Sequence, residues 1–124
     1  MTQDQAHILE LRTLEQCYNF GLEPLKCKTM FSIAPNVLRI RINLDPFITL
    51  ECEISIPWEP NQFYETITEA DLKPSWYCKL VNYGALKLPK FTEISGDLKS
   101  TLQHYIEYYQ SDLPMALSRA ILLT

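Results

Sequence analysis

The side chains that could do acid–base, nucleophilic or metal chemistry are few in this chain and poorly grouped. Two histidines, His7 and His104, and four cysteines, Cys17, Cys27, Cys52 and Cys78, stand among 15 Asp and Glu residues. No CxxC pair occurs and neither histidine is near a cysteine, so the ligand spacing of a zinc site is lacking. Each cysteine has apolar neighbours, where Cys behaves as a small hydrophobe. Four reduced, mostly buried thiols are expected, as in a reducing compartment. His7 falls in a first helical turn, and His104 lies between the apolar positions Leu102 and Ile106 on the polar side of its helix. GxSxG, HExxH, P-loop and GxGxxG motifs are absent, and Gly21, Gly84 and Gly96 cannot build a glycine-rich phosphate cradle. No two acids stand out as an acid and base held in apolar surroundings. These observations point away from an enzyme and imply no catalytic residue, no metal and no cofactor.

The chain that must position any site has 124 residues, 47% of them hydrophobic and 21% charged. This is a globular composition, read as one α+β domain over residues 1–124. The formal net charge of −4 disfavours non-specific binding to nucleic acid or to an anionic membrane. The cations are scattered; only Lys26 with Lys28, and Arg39 with Arg41, share a strand face. Aromatics do not alternate with cations as on a stacking platform for single strands. The first residues are polar without an apolar h-region, and the apolar runs are too short to span a bilayer. An intracellular protein, cytoplasmic or nuclear, is expected.

Periodicity gives the elements. Residues 4–19 read as a helix capped by Asp4, with Ile8, Leu11, Leu14, Cys17 and Tyr18 on one stripe and Leu9 to its side. Gly21 and Pro24 end it. Three strands follow at 27–33, 37–44 and 48–56. The last alternates strictly over nine residues, Ile48, Leu50, Cys52, Ile54 and Ile56 against Thr49, Glu51, Glu53 and Ser55. Short links make an antiparallel meander. Leu38, Ile40, Ile42, Leu50, Cys52 and Ile54 are the expected core, and Arg39 and Arg41 should pair across strands with Glu51 and Glu53. "PWEPNQ" (57–62) breaks the third strand, and "FYETIT" (63–68) reads as a fourth, shorter edge strand. Helices are expected at 75–86, with Trp76, Leu80 and Tyr83 on one side, and from a cap at Ser95 or Asp97, with Leu98, Leu102, Tyr105, Ile106 and Tyr109 on one stripe. A last helix is expected from Ser111 or Asp112. The fold class is therefore α+β: an N-terminal helix, a three- to four-stranded antiparallel meander, and two to three C-terminal helices on one sheet face.

This order resembles the RWD fold, the non-catalytic relative of ubiquitin-conjugating enzymes. The turn "IPWEPNQFYETI" sits where that family carries its tyrosine-proline turn, with Trp58 in place of the tyrosine-proline pair. Three stretches, "ILELRTLEQCYNFGLEPL", "VLRIRINLDP" with "ITLECEISI", and "SDLPMALSRAILLT", resemble the short RWD domains that end coiled-coil kinetochore and spindle-checkpoint scaffolds. The resemblance implies a protein interaction module. It excludes ubiquitin conjugation, because no His-Pro-Asn motif precedes a cysteine and Cys78 follows "PSWY" instead.

The reading that follows is a non-catalytic module that pairs with a similar domain, as a homo- or heterodimer, or docks a peptide. A small acidic dimeric chaperone of the secretion type is one alternative. A small-molecule-binding or enzymatic domain with a Tyr/Trp-lined pocket is another. The partner surface is placed at Leu9, outside the main apolar stripe, together with Trp58, Phe63 and Tyr64 around the proline turn. For Trp58 the competing expectation is a ring folded back onto the helices as a core plug.

Overall fold

The computed structural model describes residues 3–32, 37–55, 74–82, 88 and 91–110. Among these the elements run α1 (Gln3–Asn19), β1 (Lys26–Ser32), β2 (Val37–Asn43), β3 (Ile48–Ser55), β4 (Ser75–Asn82), β5 (Ile94–Gly96) and α2 (Leu98–Tyr108). The strands form one open antiparallel sheet in the order β1-β2-β3-β4-β5. The fold class is thus α+β. The expected fourth strand at 63–68, the turn carrying Trp58, and the closing helix from Ser111 lie outside the described residues.

Alternation fixes the two faces of the sheet. Leu38, Ile40 and Ile42 of β2 stand opposite Ile54, Cys52 and Leu50 of β3, and these in turn opposite Trp76, Cys78 and Leu80 of β4. All except the half-buried Trp76 are buried, so the six expected core residues are the core. The register follows from burial, since a one-residue slip would turn every one of these side chains to the other face.

β4 corrects the expected helix at 75–86 over residues 75–82; the remainder, with Tyr83, lies outside the described residues. The four-residue spacing of Trp76 and Leu80 fits a helix face, but it also fits a strand face. The residue between them decides: Cys78 points the same way and is fully buried, giving the inward set Trp76, Cys78, Leu80 and Asn82. β3 is buried in the middle of the sheet and its second edge requires a strand partner, which the run "SWYCKLVN" supplies residue for residue. β5 was not anticipated. Its Ser95 is strand, and Asp97 alone caps α2, accepting from Ser100 N at 2.8 Å and from Ser100 Oγ at 3.1 Å.

α1 corrects the expected stripe. Of that stripe Cys17 is buried and Leu14 packs partly buried against the core, but Ile8, Leu11 and Tyr18 are exposed by 43%, 51% and 59%, and Ala6, Leu9 and Thr13 are buried instead. Two rows of the same helical spacing compete in this segment. The row carrying Thr13 reads as the weaker one because of its hydroxyl. In the fold that hydroxyl is satisfied twice: it donates to Leu9 O at 2.8 Å and accepts from Trp76 Nε1 at 2.9 Å, tying α1 to β4. The helix ends on Gly21 at φ 78°, with Leu22 N donating to Cys17 O and Gly21 N to Tyr18 O, the Schellman arrangement that seats Leu22 in the core. α2 packs on β4 and β5 and against α1, burying Leu98, Thr101, Leu102 and Tyr105.

Two outcomes test this packing. Ile40→Ala and Ile54→Ala, each from a site at most 1% exposed, should each lower unfolding stability by about 2–5 kcal/mol in a denaturant titration. Asp97→Ala should lower the melting temperature at neutral pH. The Ser100 bonds hold the Asp97 carboxyl below its usual pKa of 3.8, so its contribution is present above that value and lost as the pH falls through the lowered one. The gap between variant and wild type should therefore close on acidification.

Candidate interaction surface

The helices cover one face of the sheet. The other carries the polar half of the alternation, and its rows run straight across the strands. One row is Met30, Arg39, Glu53 and Tyr77; the next is Lys28, Arg41, Glu51 and Lys79. Arg39 Nε donates to Glu53 at 3.1 Å, and Arg41 Nε to Glu51 at 2.8 Å, as the sequence predicts for opposite charges at facing positions. Lys79 Nζ also approaches Glu51, at 3.8 Å. The Glu51 side chain is 17% exposed against 62% for Arg41, so this carboxylate is held down between two cations. Exposed pairs of this kind contribute only about 0.2–1 kcal/mol each. Their larger effect is to set the character of a shallow concavity of about 470 Å³ on this face, with Met30 and Tyr77, 58% and 56% exposed, at its two sides.

A second surface runs along the outside of α1, where Ile8, Leu11 and Tyr18 stand in one row and Leu25 is 64% exposed just beyond the helix. Leu9, expected to contribute here, is fully buried under the helix and belongs to the core. The apolar patch on α1 exists, but it is built from the residues expected to be buried. Trp58, Phe63 and Tyr64 lie outside the described residues. A groove of about 550 Å³ lies where α1, the start of β4 and the start of α2 meet, with Trp76, Arg12 and Lys99 among its walls.

The groups with reactive chemistry are turned inward. Cys52 and Cys78 face each other on β3 and β4 with their sulfurs 2.7 Å apart, and neither is joined in a disulfide. The hydrogen bond with Cys78, and then burial, push the Cys52 thiol up; burial pushes Cys17 up to about 12, with Cys27 and Cys78 near enough to add to it. Cys27 is half-buried and raised mainly by burial. A thiol with so high a pKa holds almost no thiolate near neutrality and is a poor nucleophile. His7 is exposed, and His104 lies against Tyr108 and Tyr109 with ring centroids 4.5 and 5.5 Å away. Among the described residues no group of three or more His, Cys, Asp or Glu could hold a metal ion. No described helix is long and apolar enough to cross a membrane.

Asp45 is the functional-looking group that sequence reading passed over. It is 3% exposed; Oδ1 accepts from Phe47 N and Ile48 N at 2.6 and 2.8 Å, and Oδ2 from Tyr105 Oη at 2.6 Å. Burial, with the Asp45 bond, drives the Tyr105 phenol far above its ordinary pKa. Both carboxylate oxygens are thus engaged by the protein itself, and the arrangement is a structural anchor. The available signal was an Asp preceding Pro in a turn between apolar strands.

Alkylation with iodoacetamide at mildly alkaline pH should label Cys27 first. Cys17, Cys52 and Cys78 should react only at the rate at which the core opens, as read by mass spectrometry of the intact chain. Equal labelling of all four would show that the thiols are not packed as described. In comparisons with known proteins, neither a family model, a curated protein nor a solved structure matches the chain.

Proposed function

We propose that the protein is a non-catalytic interaction module that pairs through the outer side of α1 with a second domain of its own kind. The observation that carries this is the row Ile8, Leu11 and Tyr18. These are large side chains at helical spacing on the side of α1 away from the core, each more than two-fifths exposed. A helix that only covers a sheet gains nothing from a second apolar row, and contiguous exposed apolar surface marks association sites. The inward turn of the thiols supports the same reading, because it leaves the surface with shape and charge and little reactivity. The RWD-like, kinetochore-type assembly is the narrower form of this proposal. Its support is the order of helix, antiparallel meander and helix, together with the stretches that carry the resemblance.

The test is the double variant Ile8→Glu with Leu11→Glu. The wild type should show a molar mass above its 14.5 kDa chain by light scattering after gel filtration, and the variant should run as a monomer that melts cooperatively at a temperature independent of protein concentration. A monomeric wild type at high protein concentration would remove pairing from the proposal. So would a variant that still pairs. The groove beside Trp76 favours one other reading, a small apolar ligand, which would raise the melting temperature on binding without changing the mass.

A further inference from the structure

β1 is the edge of the sheet. It spans seven residues, its inner neighbour is β2, and among the described residues no strand lies beyond it. An edge of this length presents a row of backbone donors and acceptors that an extended chain can complete. The opposite edge, β5, has only three residues and offers far less.

The side chains along β1 say which extended chain. Its outward residues are Lys26, Lys28 and Met30, and all three are exposed. Lys28 faces Arg41 in register, so two cations stand directly opposite each other, an arrangement that is unfavourable in itself. Arg41 leans on Glu51, which it shares with Lys79, and no carboxylate of the described residues pairs with Lys28. The row reads Lys28, Arg41, Glu51, Lys79: three cations to one anion within a chain of net charge −4. A carboxylate on a strand beyond Lys28 would sit beside it in the same row and close the gap. Lysines on an edge are also a common guard against pairing of identical edges, since a second copy would bring its own lysines to the same face. The same charges that discourage a second copy favour an acidic chain. A phosphate backbone fits less well, because Glu51 and Glu53 stand among the cations of this face.

We propose that the edge of β1, beyond which no described strand lies, takes an extended acidic peptide of a partner protein as a further antiparallel strand, with carboxylates facing Lys26 and Lys28 and an apolar side chain facing Met30. Read from the peptide's N-terminus, the partner carries an apolar residue, then an acid two positions on, then a second acid two positions further. The residues between them face Cys27 and Thr29, both half-buried, and are small or apolar. This goes beyond pairing through α1 and uses different residues.

The experiment uses the whole chain and a capped seven-residue peptide with leucine at its third position, glutamate at its fifth and seventh, and threonine or valine elsewhere. Binding is read by fluorescence anisotropy, and hydrogen exchange locates it. The peptide should bind and slow exchange of β1 amides. Lys28→Glu should weaken it roughly tenfold without lowering the melting temperature, since the glutamate would face Arg41, and a peptide with lysine at the fifth position should recover affinity for that variant. Methylating alternate peptide amides should abolish binding in one set and spare it in the other, as only strand addition requires. The proposal is overturned if the peptide does not bind, if a scrambled peptide of the same composition binds equally, or if protection falls elsewhere than β1. Protection of β1 by raised protein concentration alone would make a second copy the occupant. Tighter binding of an oligonucleotide of equal charge would make it nucleic acid. Molar mass does not enter this test, so its failure and that of α1 pairing are read separately.

Discussion

The buried carboxylate of Asp45 is the interaction on which the rest of the architecture hangs. One oxygen closes the β2–β3 turn by accepting from Phe47 N and Ile48 N, and the other takes the hydroxyl of Tyr105 from α2. Hydrogen bonds to a charged group contribute about 1.5–3 kcal/mol each, and a buried carboxylate left without them would be costly in proportion. The turn and the helix are therefore fixed to one another, although 60 residues separate them. Asn82 extends the anchor. Its Nδ2 donates to Phe47 O and its Oδ1 accepts from Leu88 N, each at 2.8 Å, so the end of β4 is held to the same turn. One end of the sheet is thus pinned by a polar network whose members satisfy one another.

At the other end the covering layer is pinned by Thr13. Its hydroxyl lies on the inner side of α1 and takes the indole N–H of Trp76. Between these polar pins the contact is apolar: Leu9, Leu38, Ile40, Ile42, Leu50, Ile54, Leu80 and Leu102 are at most 1% exposed. Burial sets how strongly the layers adhere, and the few directional bonds set where they sit.

That division of labour decides what is left for function. With both described helices on one face, the charged rows of β1 to β4 stay open to solvent, and with Cys17, Cys52, Cys78, Asp45 and Tyr105 buried, the exposed groups among the described residues include these charges and the apolar row on α1. On the open face Glu51 and Glu53 pair with the arginines of the middle strands, and Lys26 and Lys28 stand on β1, beyond which no strand of the described residues lies.

The sequence by itself determined whatever depends on local period. Strict alternation set β2 and β3, their core residues and the Arg–Glu pairs, because a strand has only two faces and apolar residues claim one of them. Gly21 marked a helix end through backbone chemistry that needs no distant partner, whereas the start of α2 stood open between Ser95 and Asp97 until β5 claimed Ser95. Tertiary structure decided the cases in which local periods are degenerate. Trp76 and Leu80 are four apart on a helix and on a strand alike, and the exposed edge of β3 chose the strand. α1 offers two rows at helical spacing, and the indole of Trp76, 63 residues away, selected the one that contains Thr13. Leu9 went inward with that row and Ile8, Leu11 and Tyr18 went out. No local pattern could have ranked those rows, because the difference between them is the free energy of contacts that exist only once the sheet has formed.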